Sequence, residues 1–201
     1  MDAGSYPLDF PGGRDKRYFE ERRMIKIIGI DPGLAATGIG IVRGTGLKVQ
    51  DYSFGSIHTS NSIPLAGRLD KIFSELILIL KDEKPDLMVV EDVFFLKKNP
   101  KSGITLGKVI GIVLLAGSRS KVASIEVSVR EAKKVLTGNG NASKLQMETA
   151  VRHLLNLTTP IQSYHASDAV ALALIGLFRY GNDVFRQTIG YNKQRTTRPG
   201  S

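Results

Sequence analysis

Three acids and one histidine stand where their types and spacing could do chemistry. Asp31 directly follows the apolar run Ile27-Ile28-Gly29-Ile30, and Glu91 directly follows Leu87-Met88-Val89-Val90. Short apolar runs of this kind read as buried strands, so each acid sits at the C-terminal edge of one. A carboxylate there has little solvent, and burying it unpaired is costly. Taken singly, each acid also has an ordinary reading: Asp31 as a turn cap, Glu91 as the start of a loop. His165 and Asp168 lie three apart at the opening of an apolar helical stretch, residues 169–177, and so share a helix face. Asp168 by itself suits the positive end of a helix dipole.

If the four groups converge, they place three carboxylates and an imidazole in one pocket. That much negative charge needs a counter-ion, and oxygen-rich sites suit Mg²⁺ or Mn²⁺. Two such ions about 4 Å apart can activate a water and stabilise the leaving oxygen in phosphodiester hydrolysis. The chain has no cysteine, which excludes thiol catalysis, disulfide frameworks and Cys-zinc sites.

The charge balance points to a polyanion. The chain carries 28 Lys+Arg against 19 Asp+Glu, a net +9 with a pI near 9.8, which suits nucleic acid or an acidic membrane. From residue 93 to residue 125 there is no acid, while Lys97, Lys98, Lys101, Lys108, Arg119 and Lys121 fall within it. This stretch begins beside Glu91, so its lysines would flank the acids and neutralise phosphates without reading sequence. An ordinary solvated lysine face is the alternative. Phe94 and Phe95 are adjacent, and an extended segment cannot bury both; an outward ring can stack on an opened base. Lys144 follows the turn-forming Gly138-Asn139-Gly140-Asn141 and opens a helix, where backbone can approach phosphate closely. His58 and His153 read as structural or surface histidines.

The elements that must hold these groups follow from periodicity. Strands are expected at 24–31, 37–43 and 47–56, closely joined as an antiparallel meander. A helix follows from about residue 65, capped by Ser60 or Ser62 with Pro64 in its first turn, and Pro85 ends it. Next come a strand at 86–91, a helix at 106–115, a strand near 122–127, and helices at 131–136, 143–155 and 167–180. Alternating units imply parallel pairing, hence an α/β fold: a mixed five-stranded sheet with helices on both faces. Residues 1–23 balance acids and bases around Pro and Gly and read as an N-terminal extension, with Met24 a possible start. Residues 24–182 are expected to form one domain carrying this hydrolytic site, and 183–201 to be a disordered basic tail. No uninterrupted apolar run approaches the roughly 20 residues of a bilayer span, and no signal peptide is expected, so a cytoplasmic protein with no membrane partner is expected.

Four segments together resemble the RuvC family of bacterial Holliday-junction resolvases. They are Ile28-Gly29-Ile30-Asp31-Pro32-Gly33-Leu34, Val90-Glu91-Asp92-Val93-Phe94, Gly138-Asn139-Gly140-Asn141-Ala142-Ser143-Lys144 and His165-Ala166-Ser167-Asp168-Ala169. They occur in order between about residues 24 and 180. The resemblance implies a ribonuclease H-like fold and a homodimer that cuts two strands symmetrically across a four-way DNA junction, in recombination and repair, using two Mg²⁺ (or Mn²⁺) per site. It assigns Asp31, Glu91 and Asp168 as metal ligands, with His165 at a position where many members carry aspartate. It makes Phe94 the base-wedging residue. It sets Lys133 and Lys144 near the cut, holding phosphate or transition-state charge. It also implies branch-migration proteins as partners and a dimer interface on the 106–115 helix.

Competing readings are an actin-like or sugar-kinase-type ATPase, which also opens on an Asp-x-Gly turn, a junction binder without catalysis, and a ribonuclease of the same fold. The ATPase needs a second such domain, and no second phosphate loop is present.

Overall fold

The computed structural model describes residues 24–92 and 100–180. Calls on the N-terminal extension, on Phe94, Phe95, Lys97 and Lys98, and on the basic tail lie outside the described residues.

Three strands open the fold: β1 (Ile25–Asp31), β2 (Ala36–Thr45) and β3 (Lys48–His58), paired antiparallel in sequence order. Helix α1 (Leu65–Glu83) crosses to β4 (Leu87–Asp92), and α2 (Pro100–Arg119) crosses to β5 (Ser124–Ser128). Both of these strands add parallel, giving the order β3-β2-β1-β4-β5. Three helices close the described residues: α3 (Val129–Thr137), α4 (Lys144–Leu155) and α5 (Tyr164–Ile175), with a π-helical turn at Gly176–Tyr180. The mixed five-stranded sheet expected from the sequence is present. Side chains alternate between its faces, so Ile25, Ile27, Leu87 and Val89 enter one core with α5, while Ile28, Ile30, Met88 and Val90 enter the other with α1 and α2.

Three expectations need correction. Ser60 and Ser62 do not cap α1. Their hydroxyls bond each other at 2.8 Å and Ser60 Oγ accepts from the Ser62 N–H, so both are spent in the loop and Pro64 takes the cap position. The second helix is longer than 106–115: it runs from residue 100 to residue 119, because nothing between Lys101 and Thr105 breaks it. Its stretch Lys101–Arg119 is, by length and composition, long and apolar enough to cross a membrane; it packs Val109, Val113 and Ala116 against the sheet and α1. The last helix starts at Tyr164 rather than at residue 167, because Ser163 Oγ accepts the Ala166 N–H and sets the first turn early.

Helix α5 is apolar around its whole circumference and lies directly on β1 and β2. Three strand glycines, Gly29, Gly38 and Gly40, make that possible. A Cβ on Gly29 would stand 2.0 Å from the Ala169 carbonyl oxygen, and one on Gly38 would stand 2.0 Å from that of His165. Gly38 pairs directly with Asp31 in the sheet register, so the helix backbone touches down beside the first acid. Gly38→Ala is therefore expected to lower stability by about 2 kcal/mol or more, as overpacking against backbone does. Equilibrium urea unfolding measures this; parental stability would show that α5 does not rest there.

Candidate active site

Strand geometry accounts for two of the acids. β1 and β4 are parallel neighbours, paired from Ile27↔Leu87 to Ile30↔Val90, so Asp31 and Glu91 emerge side by side at the same sheet end. Parity places both on the α5 face, since Asp31 lies two residues beyond Gly29, which faces the α5 backbone, and Glu91 two beyond Val89 of that core. Neighbouring strands lie about 4.8 Å apart, and the two carboxyl groups are hydrogen-bonded to each other.

Helix α5 contributes the rest of the acid cluster from its first two turns. His165 Nδ1 lies 2.6 Å from Asp31 Oδ2. Asp168, one turn on, acts electrostatically on both Asp31 and Glu91. Opposite it, a capping box at Ser143 fixes the start of α4 and so the root of Lys144. The Lys144 ammonium is 3.1 Å from Asp168 Oδ2 and 4.5 Å from the centroid of the Tyr164 ring. A cavity of about 190 Å³ opens between these helices, lined by Glu91, Lys133, Lys144 and Asp168 over the apolar floor of Ala132 and Met147.

The electrostatics show unmet demand for positive charge. Burial pushes the Asp31 carboxyl up to about 6; the hydrogen bond from Glu91 pulls it down, Asp168 raises it and Lys144 lowers it. Burial pushes Glu91 up to about 8, helped by its hydrogen bond to Asp31 and by the charges of Asp31 and Asp168, against a lowering by Lys144. Near neutrality the pair therefore holds a proton in common. Among the described residues no three His, Asp or Glu side chains are arranged to hold a metal ion as they stand. The donors nevertheless fit a hard cation: an oxygen-rich set whose charge is met by a shared proton, an ammonium and an imidazole edge. A divalent ion would replace that proton and draw the carboxylates together.

Of the residues singled out in the sequence, Glu91, Asp168, Lys133 and Lys144 line one pocket, and Asp31 adjoins Glu91 with His165 against it. Lys101 and Lys108 stand exposed on α2 and do not line it. Sequence reasoning missed Tyr164, which only the fold brings against Lys144. It also missed the glycines that seat α5, although isolated Gly within a strand pattern signals close backbone approach.

Comparison with known proteins decides the family. Residues 27–176 match the family described as "Crossover junction endodeoxyribonuclease RuvC". This chain belongs to the RuvC family. A relative of that name from Carboxydothermus hydrogenoformans is 40% identical over 157 residues, covering 78% of this chain and 98% of the relative. One from Desulforamulus reducens is 36% identical over 148 residues, covering 74% and 90%. In structure, the chain is similar to T. thermophilus RuvC in complex with Holliday junction substrate, with a TM-score of 0.74 at 28% identity, covering 80% of this chain and 97% of that one. The ribonuclease H-like fold expected from the resemblance is that of this family. Its nucleases depend on divalent metal, which the donor set accommodates.

The raised carboxyl groups make stability fall with pH. The folded chain keeps a proton that the unfolded chain releases near pH 4, so this contribution is present at low pH and is lost as pH rises toward and past about 8. Metal-free melts are expected to drop by on the order of 5 °C between pH 5 and pH 8.5. Asp31→Asn should flatten the profile, and an unchanged slope in that variant would refute the assignment.

Proposed function

We propose that this chain resolves four-way DNA junctions by metal-dependent hydrolysis, making paired symmetric nicks as a homodimer. The observation that carries the reading is the emergence of Asp31 and Glu91 from adjacent parallel strands onto one face, sharing a hydrogen bond beneath the α5 turn that bears His165 and Asp168. T. thermophilus RuvC, similar in fold, is known in complex with a Holliday junction substrate, which supports junction DNA as the substrate here.

Asp31, Glu91, Asp168 and His165 would hold the divalent ions, two per site, Mg²⁺ or Mn²⁺. Such ions supply charge for the scissile phosphate and lower the pKa of an attacking water. The chain's own residues do the remainder. The strand ends fix Asp31 and Glu91 so that little reorganisation is needed as charge develops. Lys144, 3.1 Å from Asp168 at the pocket mouth, would meet the negative charge growing on the phosphate. Lys133 stands across the cavity as a second point charge for backbone phosphate. His165 brings a neutral, softer donor than aspartate, which favours Mn²⁺ relative to an all-carboxylate site.

The dimer reading is supported by α1 and α2. Their outer faces leave Leu78, Ile104 and Leu115 exposed, around a groove lined by Phe73, Ile77 and Leu115. A two-fold dimer suits a substrate that is itself roughly two-fold. Phe94, Lys97, Lys98, Lys101 and Lys108 would extend the DNA-binding surface, and branch-migration proteins would join the complex on chromosomal DNA in the cytoplasm.

An immobile four-way junction tests the proposal. Paired nicks with Mg²⁺ are expected from the parental chain, and binding with nicking reduced at least about a hundredfold from Asp31→Asn. Binding without any metal-dependent nicking by the parental chain would leave a non-catalytic junction binder. Across matched concentrations, Mn²⁺ is expected to support cutting at least as well as Mg²⁺; higher activity in Mg²⁺ would remove the role given to His165.

A further inference from the structure

Tyr164 is among the most exposed large side chains described, at 73%, yet one face of its ring is taken: the Lys144 ammonium stands 4.5 Å from its centroid. The same ammonium is 3.1 Å from Asp168. Residues 164 and 168 are one turn apart on α5, so ring and carboxylate share a helix face and form a two-point cradle. The root of this cradle is held firmly. Ser163 takes a left-handed backbone (φ 83°), which a serine adopts only under constraint. Its hydroxyl accepts the Ala166 N–H and also bonds Ser56 Oγ of β3 at 3.3 Å. Tyr164 is thus launched from a fixed point rather than from a fraying helix end.

We propose that Tyr164 is a positioning residue for Lys144, holding its ammonium at the pocket mouth through the face of the ring. Lys144 is more than half exposed, and an exposed ion pair alone holds a flexible lysine weakly. The ion pair is also the restraint that disappears when Asp168 is claimed by cations. The ring's attraction runs through its π face and not through Asp168, so its hold on the ammonium survives that change and keeps Lys144 aimed at the phosphate. The inference rests on the catalytic reading of Lys144 given above.

The test uses the full chain, with Tyr164→Leu and Tyr164→Phe made alone and together with Lys144→Ala. Single-turnover nicking of saturated junction should fall roughly threefold to tenfold in Tyr164→Leu and stay near the parental rate in Tyr164→Phe, which keeps the ring. Junction affinity without metal should be unchanged in both. In the Lys144→Ala background, Tyr164→Leu should cost nothing further, since its effect runs through the lysine. A readout independent of activity is the ε-methylene resonance of Lys144 in the metal-free chain. It should lie upfield in the parental and Phe forms through the ring current, and lose that shift in the Leu form.

Parental nicking by Tyr164→Leu overturns the proposal, as does equal loss in Tyr164→Phe. So do weakened junction binding, which would make the ring a base-stacking contact, and an additive loss on top of Lys144→Ala. If the parental chain does not nick, or Lys144→Ala nicks normally, the catalytic reading itself fails. That failure is distinguished by a ring-current shift that still reports the contact.

Discussion

The active centre depends on how closely a helix backbone can approach a sheet. The first turns of α5 touch β1 and β2 backbone to backbone, because Gly29 and Gly38 leave the space that its carbonyls at Ala169 and His165 occupy. Ordinary helix-on-sheet packing is wider, since both surfaces carry side chains. At that wider spacing His165 Nδ1 could not lie 2.6 Å from Asp31, nor could Asp168 act on both strand-end acids. The apolar circumference of α5 serves the same end: a helix buried among sheet, α3 and α4 cannot lift to relieve the repulsion between the acids it brings together.

That repulsion is the energetic cost of the site. Burial raises both carboxyl groups, Asp31 and Asp168 raise Glu91 further, and the fold meets their charge with a shared proton and with cations from side chains. Hydrophobic residues at positions 31 and 91 would extend the same core with no such cost. Acids are retained there because an unsatisfied, preformed cluster binds hard cations in a way that a relaxed one would not.

Much of this was legible before any coordinates. Acids directly after Ile27–Ile30 and Leu87–Val90 mark strand ends, and the alternation of buried strand and helix implies that β1 and β4 run parallel. Parallel neighbours with acids at equal height follow from period-two geometry. Other features were out of reach for physical reasons. The early start of α5 depends on Ser163, held in a conformation that local propensity disfavours and that Ser56, 107 residues away, helps maintain. The length of α2 was underestimated because Gly103 and Gly117, in the two ends beyond 106–115, weaken a helical pattern that continues through them. The Tyr164–Lys144 contact joins two helices whose relative placement no periodicity records.

The two halves of the site are built to different standards of rigidity, and the chemistry explains why. The acids come from strand ends and from a helix buried along residues 169–175, so their positions are set by the core. The bases come from the exposed first turn of α4 and from α3, on flexible four-carbon stems. Cation coordination tolerates little error in oxygen positions, and preorganised acids avoid reorganisation as charge develops. A DNA backbone opened at a branch point presents phosphates less predictably, and an ammonium is a point charge that can follow them. A lysine free to follow phosphate is also free to wander, so the basic half gains from a restraint that does not compete with its target. An aromatic face beside a carboxylate on one turn of α5 supplies that restraint. It attracts the ammonium more weakly than a phosphate does, so it aims the lysine without competing for its charge.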